Sequence, residues 1–358
     1  MITEEVELHV SDVRSFMECR QRWQFSSVLR LSLESQVPNR HLWLGRAIHY
    51  ALAAYYGSVD RDPMALMLAY RNWCTKESDR LHAIPDMAQE WFQEMEEAIA
   101  LGEGMLTHYL RWAPGHDDFR VVMPEVQFRI PVPELGLLDY DADIEHKVFF
   151  AGTCDGVIQD SDGKYWLIEH KTAASFPKDL GALYWDLQCS AYVWATKKDP
   201  RFVDMPIQGI IYNFLRKKEP TIPRVLKDGM LSQAANIDTT YEVYMAELVR
   251  TNQPAILYGE VLNRLRTLPN QFFTRAKIQH QGNELAIFER NLIAVGREMT
   301  DPRTAIYPNP GMLGWKCSGC PFRDPCILVH TGNDPSYLLQ HAYRKRTVEP
   351  FADVVVED

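Results

Sequence analysis

No stretch of this chain approaches the roughly 18 uncharged apolar residues that a membrane span requires. The opening segment, Met-Ile-Thr-Glu-Glu-Val-Glu, is acidic where a secretory leader would be basic. A soluble cytoplasmic protein with no membrane association is therefore expected. The 358 residues contain no internal repeat and no low-complexity linker, which argues against a string of independent domains. Positive charge is also short. Against 48 Asp and Glu stand 38 Lys and Arg, a formal net charge of -10, which excludes a general nucleic-acid coat but not a local basic channel. Cysteine is scarce and odd in number, seven in all. In a reducing compartment clustered cysteines bind metal or do redox chemistry more often than they form disulfides.

What is present is an ordinary globular composition, 46% hydrophobic and 24% charged. One composite domain over residues 1–358 is the simplest reading. Ser11 reads as the N-cap of a helix that carries Cys19 on its last turn, with Val13, Phe16 and Met17 as its apolar stripe. Residues 41–120 form a helical block, rich in Ala, Leu, Met, Glu and aromatics and poor in breakers. Residues 121–215 read as the core: short β-branched and aromatic runs to Thr172, a helix near 179–196, and a buried strand from Ile207 to Leu215. Residues 216–304 read as mostly helical. The fold class is α/β, a small mixed sheet flanked by helices.

Two signals carry chemistry. The runs Gly152 to Asp160 and Lys164 to Thr172 flank Ser161-Asp162-Gly163. A three-residue hairpin loop with Gly163 left-handed would set Asp155 opposite Glu169, on one face. Strand alternation adds Lys171 to that face and turns Ile168 and His170 the other way. Two carboxylates and an ammonium suit Mg2+ or Mn2+ and the hydrolysis of a phosphodiester. In Leu44-Gly45-Arg46-Ala47-Ile48-His49, Gly45 and His49 share a helix face, the glycine for close approach and the histidine as a further ligand. Gln188 and Tyr192 lie one turn apart on the next helix, placed to hold a phosphate or base. The second signal is a cysteine frame: Cys19 near one end, and Cys317, Cys320 and Cys326 in a Cys-x2-Cys-x5-Cys run near the other. A frame that joins the two ends is a structural clamp.

The order His49, Asp155, Glu169-His170-Lys171 and Gln188-x3-Tyr192 resembles the motif series of the RecB-like branch of the PD-(D/E)XK nucleases. The resemblance spans residues 11–326, with its motifs in short islands. It implies that His49, Asp155 and Glu169 bind the divalent metal, that Lys171 assists hydrolysis and that Gln188 and Tyr192 line the DNA path. Glu125 is similar to the Glu on the family's first core strand, a secondary metal candidate. The cysteine frame is similar to that of the iron-sulfur members: the AddB-type nuclease domain, the helicase-nuclease proteins and the CRISPR-associated RecB-like exonucleases, with a phage-encoded relative another option. This implies a 4Fe-4S cluster on Cys19, Cys317, Cys320 and Cys326, in a module formed by residues 1–40 and 305–330. A structural Zn2+ is the competing occupant, although such sites usually pair two short knuckles and only one is present. The activity implied is that of a DNA exonuclease acting on single-stranded ends in recombination, repair or processing. A site-specific endonuclease or nickase, and a non-cutting DNA-binding accessory protein, are the alternatives. Positive charge for DNA is expected from Arg216-Lys217-Lys218, from Arg20 and Arg22, or from Arg344-Lys345-Arg346.

Overall fold

A computed structural model describes residues 2–27, 29–36, 39–84, 89–139, 144–280 and 282–345. Arg346 of the C-terminal basic run lies outside the described residues. The chain opens with strand β1 (Ile2–His9), then helices α1 (Val10–Glu18) and α2 (Arg20–Ser26) and a short strand β2 (Leu33–Ser35). The helical block follows as α3 (Arg40–Gly57), α4 (Pro63–His82) and α5 (Gln89–Trp112). Then come β3 (Phe119–Pro131), β4 (Leu137–Asp139), β5 (Ile144–Asp160), β6 (Tyr165–Ala173), α6 (Leu187–Lys198) and β7 (Ile207–Arg216). Helices α7 (Tyr241–Arg250) and α8 (Gly259–Thr267) precede β8 (Phe273–Gln279) and α9 (Asn283–Thr300). The chain closes with α10 (Trp315–Ser318), α11 (Arg323–His330), α12 (Ser336–Ala342) and β9 (Tyr343–Lys345), which pairs with β2.

Among the described residues seven strands form one mixed sheet. β6 and β7 run parallel, joined through α6, and β8 closes that side antiparallel to β7. Alternate residues feed opposite layers, as strand geometry requires. Leu167, Tyr212 and Phe214 join the core under α1, α6 and α9, while Trp166, Ile168 and Ile211 join the core beneath α3, α4 and α5. Sheet and helices therefore stack as three layers.

The edges of β5 position the site. β3 takes one edge of β5 across 149–160, so β1 (pairing through Ala151) and β6 (pairing from Gly156) share the other edge. Between those two ladders, residues 152–155 of β5 are left without a strand partner on that edge, and Asp155 stands in the gap. The β5–β6 turn is built by Asp160, whose Oδ1 accepts from the amides of Asp162 (3.1 Å) and Lys164 (3.0 Å), while Oδ2 accepts from Trp166 Nε1 (2.9 Å). Gly163 is left-handed at φ 78°, and Gly156 pairs with Ile168, so the same register extended one residue sets Asp155 across from Glu169.

Two strands add to the sequence reading, and the first helix departs from it. β1 occupies a segment read as part of a cysteine module, and β8 lies in a stretch read as mostly helical. Both are short strands whose partners are far away in sequence, β5 and β7, so no local hairpin signal marks them. The first helix starts at Val10, with His9 at the N-cap and making no side-chain cap bond, so that Ser11 lies inside the helix, and Met17 is 60% exposed rather than part of the apolar stripe. Among the described residues no helix is long and apolar enough to cross a membrane.

Candidate active site

Helix α3 begins where Asn39 Oδ1 accepts from the amides of His41 (2.9 Å) and Leu42 (3.4 Å), and it runs over the end of β6. Gly45 lets it approach: a Cβ there would lie 3.3 Å from Thr172 Oγ1. One turn later His49 Nδ1 lies 3.1 Å from Asp155 Oδ1. A carboxylate only accepts, so the imidazole donates. The other oxygen, Asp155 Oδ2, accepts from the backbone amide of His170 at 2.6 Å, across the gap beside β5.

Glu169 and Lys171 project toward α6, whose first turn is fixed by Asp186. Its Oδ1 accepts from the amides of Gln188 (2.7 Å) and Cys189 (3.3 Å). Lys171 Nζ donates to Glu169 Oε1 at 2.7 Å and to Gln188 Oε1 at 2.6 Å. Gln188 Nε2 donates to the same Glu169 Oε1 at 2.8 Å and to Tyr192 Oη at 3.1 Å. Gly152 makes room for Tyr192, since a Cβ there would sit 2.9 Å from the ring. Glu125 lies on β3 between Pro124 and Val126, the partners of Gly156 and Cys154, and takes the left-handed φ of 41°. That conformation is uncommon for a residue with a Cβ and costs about 1–3 kcal/mol. The structure thus gathers His49, Asp155, Glu169, Lys171, Gln188 and Tyr192 around one spot, with Glu125 close enough to feel the charge of Asp155.

The electrostatics separate the two carboxylates. Burial would raise Asp155, but His49 and the His170 amide outweigh it and hold the group well below its usual range. Burial raises Glu169 to about 7, with the charge of Asp155 adding to it and Lys171 opposing. Burial works against the charged Lys171, yet Glu169 keeps its value raised. Burial likewise opposes an imidazolium at His49, and Asp155 outweighs it so that the value rises. Burial takes His170 down to about 4, so that ring is neutral.

The residues fit a hard divalent cation. Glu169 is 3% exposed, and its Oε2 is buried with no hydrogen-bond partner among the described residues, a costly arrangement that a cation would relieve. Among the described residues no three His, Cys, Asp or Glu side chains already stand close enough together to hold a metal.

The same holds for the cysteine frame, so the 4Fe-4S clamp expected from the sequence is not formed as a ligand group among the described residues. The two chain ends do meet. Cys19 Sγ accepts from the Asn309 amide (3.4 Å), the Gln21 amide donates to Tyr307 O (3.0 Å), and Phe25 stacks on Phe322 at 5.5 Å. Burial raises the Cys326 thiol to about 11, and the charges of Cys19, Cys317 and Cys320 push the same way. Cys74, Cys154 and Cys189 are buried in the core.

Sequence reasoning did not find what lies behind the site. His170, Asn213, Tyr109, Tyr56, Asp117 and Arg275 form a buried polar chain drawn from five elements and the loop after α5. Strand alternation gives only the face of His170. The basic runs expected to serve DNA are largely tied up: Arg216 and Lys218 pair with Asp238, Lys217 donates to His41 O, Arg20 pairs with Glu298, Arg22 with Glu18 and Arg344 with Glu34.

The sequence profile described as the PD-(D/E)XK nuclease superfamily matches residues 7–327. No curated protein matches the sequence significantly. A solved structure titled "Crystal structure of SSO0001" is similar at 13% identity over 90% of this chain and 86% of that one, with a TM-score of 0.30, too low to carry any argument.

Proposed function

The chain belongs to the PD-(D/E)XK nuclease superfamily, and from that premise we propose that it is a divalent-metal-dependent DNA exonuclease acting on single-stranded ends. The observation that carries this reading is Lys171 Nζ held between Glu169 and Gln188, beside a buried carboxylate oxygen that has no hydrogen-bond partner among the described residues. Asp155, Glu169 and His49 would hold Mg2+ or Mn2+, with Glu125 the secondary candidate. When bound, the cation supplies charge stabilisation for the phosphodiester and activation of the attacking water. Lys171 orients that water and stabilises charge on the phosphate. Gln188 bonds both Lys171 and Glu169, and Tyr192 bonds Gln188 in turn. Single-stranded DNA is favoured by the turn just ahead of α6, where Trp185 is 89% exposed and Tyr184 45% exposed. Exposed rings beside a hydrolytic site offer unpaired bases a stacking surface.

The test is incubation of end-labelled linear and circular single-stranded DNA with Mn2+, Mg2+ or EDTA. Metal-dependent loss of the linear strand alone is expected. Cutting of the circle would replace this reading with an endonuclease, and tight binding without cutting would replace it with an accessory role in recombination or repair.

The finer proposal for Cys19, Cys317, Cys320 and Cys326 is a structural 4Fe-4S cluster. Support comes from Cys320 and Cys326, where burial first and the charges of Cys19 and Cys317 next disfavour the thiolates, a penalty that iron ligation removes. Ligation would tie Cys19 to residues about 300 positions away, closing nearly the whole chain. Cys320→Ser is expected to lose visible iron-sulfur absorption and solubility together in anaerobic preparations. A soluble, colourless, fully active variant, or zinc in place of iron and sulfide, would defeat the proposal.

A further inference from the structure

We propose that His170, the residue between Glu169 and Lys171, is a positioning residue that sets the spacing between α3 and β6 and thereby holds His49 against Asp155. The inference rests on the metal-site reading above and adds a residue that touches neither metal nor DNA.

Three features converge on the ring. First, it is 1% exposed and clasped by α3 at two points seven residues apart, which share a helix face. Tyr56 stacks parallel to it at 5.3 Å and 16°, while His49 meets it edge-on at 6.1 Å and 75°. The imidazole therefore lies beneath the stretch of α3 that presents His49.

Second, its orientation is fixed from behind. Arg275 Nε lies 3.4 Å from Asn213 Oδ1, and since a guanidinium only donates, the Asn213 amide nitrogen must face the other way. That nitrogen donates to His170 Nδ1 (2.9 Å) and to Tyr109 Oη (2.9 Å). His170 Nδ1 is thus an acceptor, and the ring proton resides on Nε2. Tyr109 Oη in turn bonds Tyr56 Oη at 2.5 Å, which returns the chain to α3. The ring plane is locked at one edge by Asn213 and over its face by Tyr56.

Third, the His170 amide is the donor to Asp155 Oδ2. One residue therefore touches both groups whose contact defines the His49–Asp155 arm of the site: Asp155 through its backbone and α3 through its ring. Burial alone does not explain a histidine here. Its Nε2 is buried with no partner among the described residues, a cost that an apolar side chain of similar size would avoid. What an apolar residue would lose is the fixed ring plane and the link through Asn213.

The experiment measures Mn2+ binding by calorimetry alongside kcat and KM, in wild type, His170→Leu, His49→Ala and the double variant. His170→Leu should weaken Mn2+ binding and lower kcat, each by about 10–100-fold, as loss of a group orienting metal ligands does, with KM for DNA within about 3-fold. In the His49→Ala background the same change should have no further effect, because its action passes through His49. Equal losses in both backgrounds, or unchanged Mn2+ affinity in His170→Leu, would overturn the inference while leaving the nuclease reading intact. Wild type that binds no Mn2+ would remove the premise and this inference with it. Should His170→Leu fail to fold, Asn213→Leu tests the same link from behind: it should shift Mn2+ affinity in the same direction, and no shift refutes the proposal.

Discussion

Glu169→Ala and Lys171→Ala should each reduce metal-dependent DNA cleavage by about 10^3-fold or more, while DNA binding survives. Both side chains meet at Glu169 Oε1, so loss of either dismantles the same contact. The two variants should nevertheless differ in stability. Glu169 is 3% exposed and its value is raised to about 7, so in the metal-free protein its ionisation is disfavoured by the fold. A carboxyl whose folded value lies above its unfolded one lowers stability as pH rises between the two, here from about 4.5 to about 7. Lys171→Ala removes the opposing charge and widens that window upward, whereas Glu169→Ala abolishes it. Thermal melts of metal-free protein at pH 5 and pH 8 should therefore show Lys171→Ala losing more stability at pH 8 than wild type, and Glu169→Ala losing less. Undiminished cleavage by both variants would sink the site assignment, and identical pH dependence of all three melts would sink the account of Glu169.

The parts of this site that were legible in the sequence are those coded locally. The Asp155–Glu169 opposition follows from a hairpin whose turn carries its own instructions in Asp160 and Gly163, and alternation then places Lys171 and His170 on opposite faces. Gly45 and His49, and Gln188 and Tyr192, are one helical turn apart and need no tertiary information. What stayed hidden depends on distant pairings. β1 completes the edge of β5 only because residues 2–9 and 144–151 meet in parallel, and that meeting creates the gap in which Asp155 stands. Asn213 reads as one polar residue in a buried strand, and its bonds to Tyr109, His170 and Arg275 join positions 104, 43 and 62 residues away. The cysteine frame was legible as a pattern joining the two ends. Spacing alone does not set whether the thiols stand in ligand geometry.

Asp117→Ala should be among the most destabilising single changes in the protein, costing about 3–5 kcal/mol. Its carboxylate is 0% exposed and meets three partners: Arg275 Nη2, Arg61 Nη1 at 3.0 Å and Tyr56 Oη at 3.2 Å. Arg275 is itself only 14% exposed, so without Asp117 its guanidinium stays behind as a largely buried charge, packed against Trp112 and Phe119 and without its carboxylate. Breaking one half of a buried pair is the costly operation, and removing both halves is not. Asp117→Leu combined with Arg275→Met should therefore recover part of the loss. For a chain of 358 residues, a loss of that size corresponds to a fall in Tm of about 5 °C. The contrast is Asp301→Ala, which breaks an equally well-formed pair with Arg303, but one whose arginine is 87% exposed and simply returns to solvent, so its melt should match wild type. If Asp117→Ala melts with wild type, or if the double variant is worse than Asp117→Ala alone, the Asp117–Arg275 pair is not what fastens α3 and the loop after α5 to the sheet.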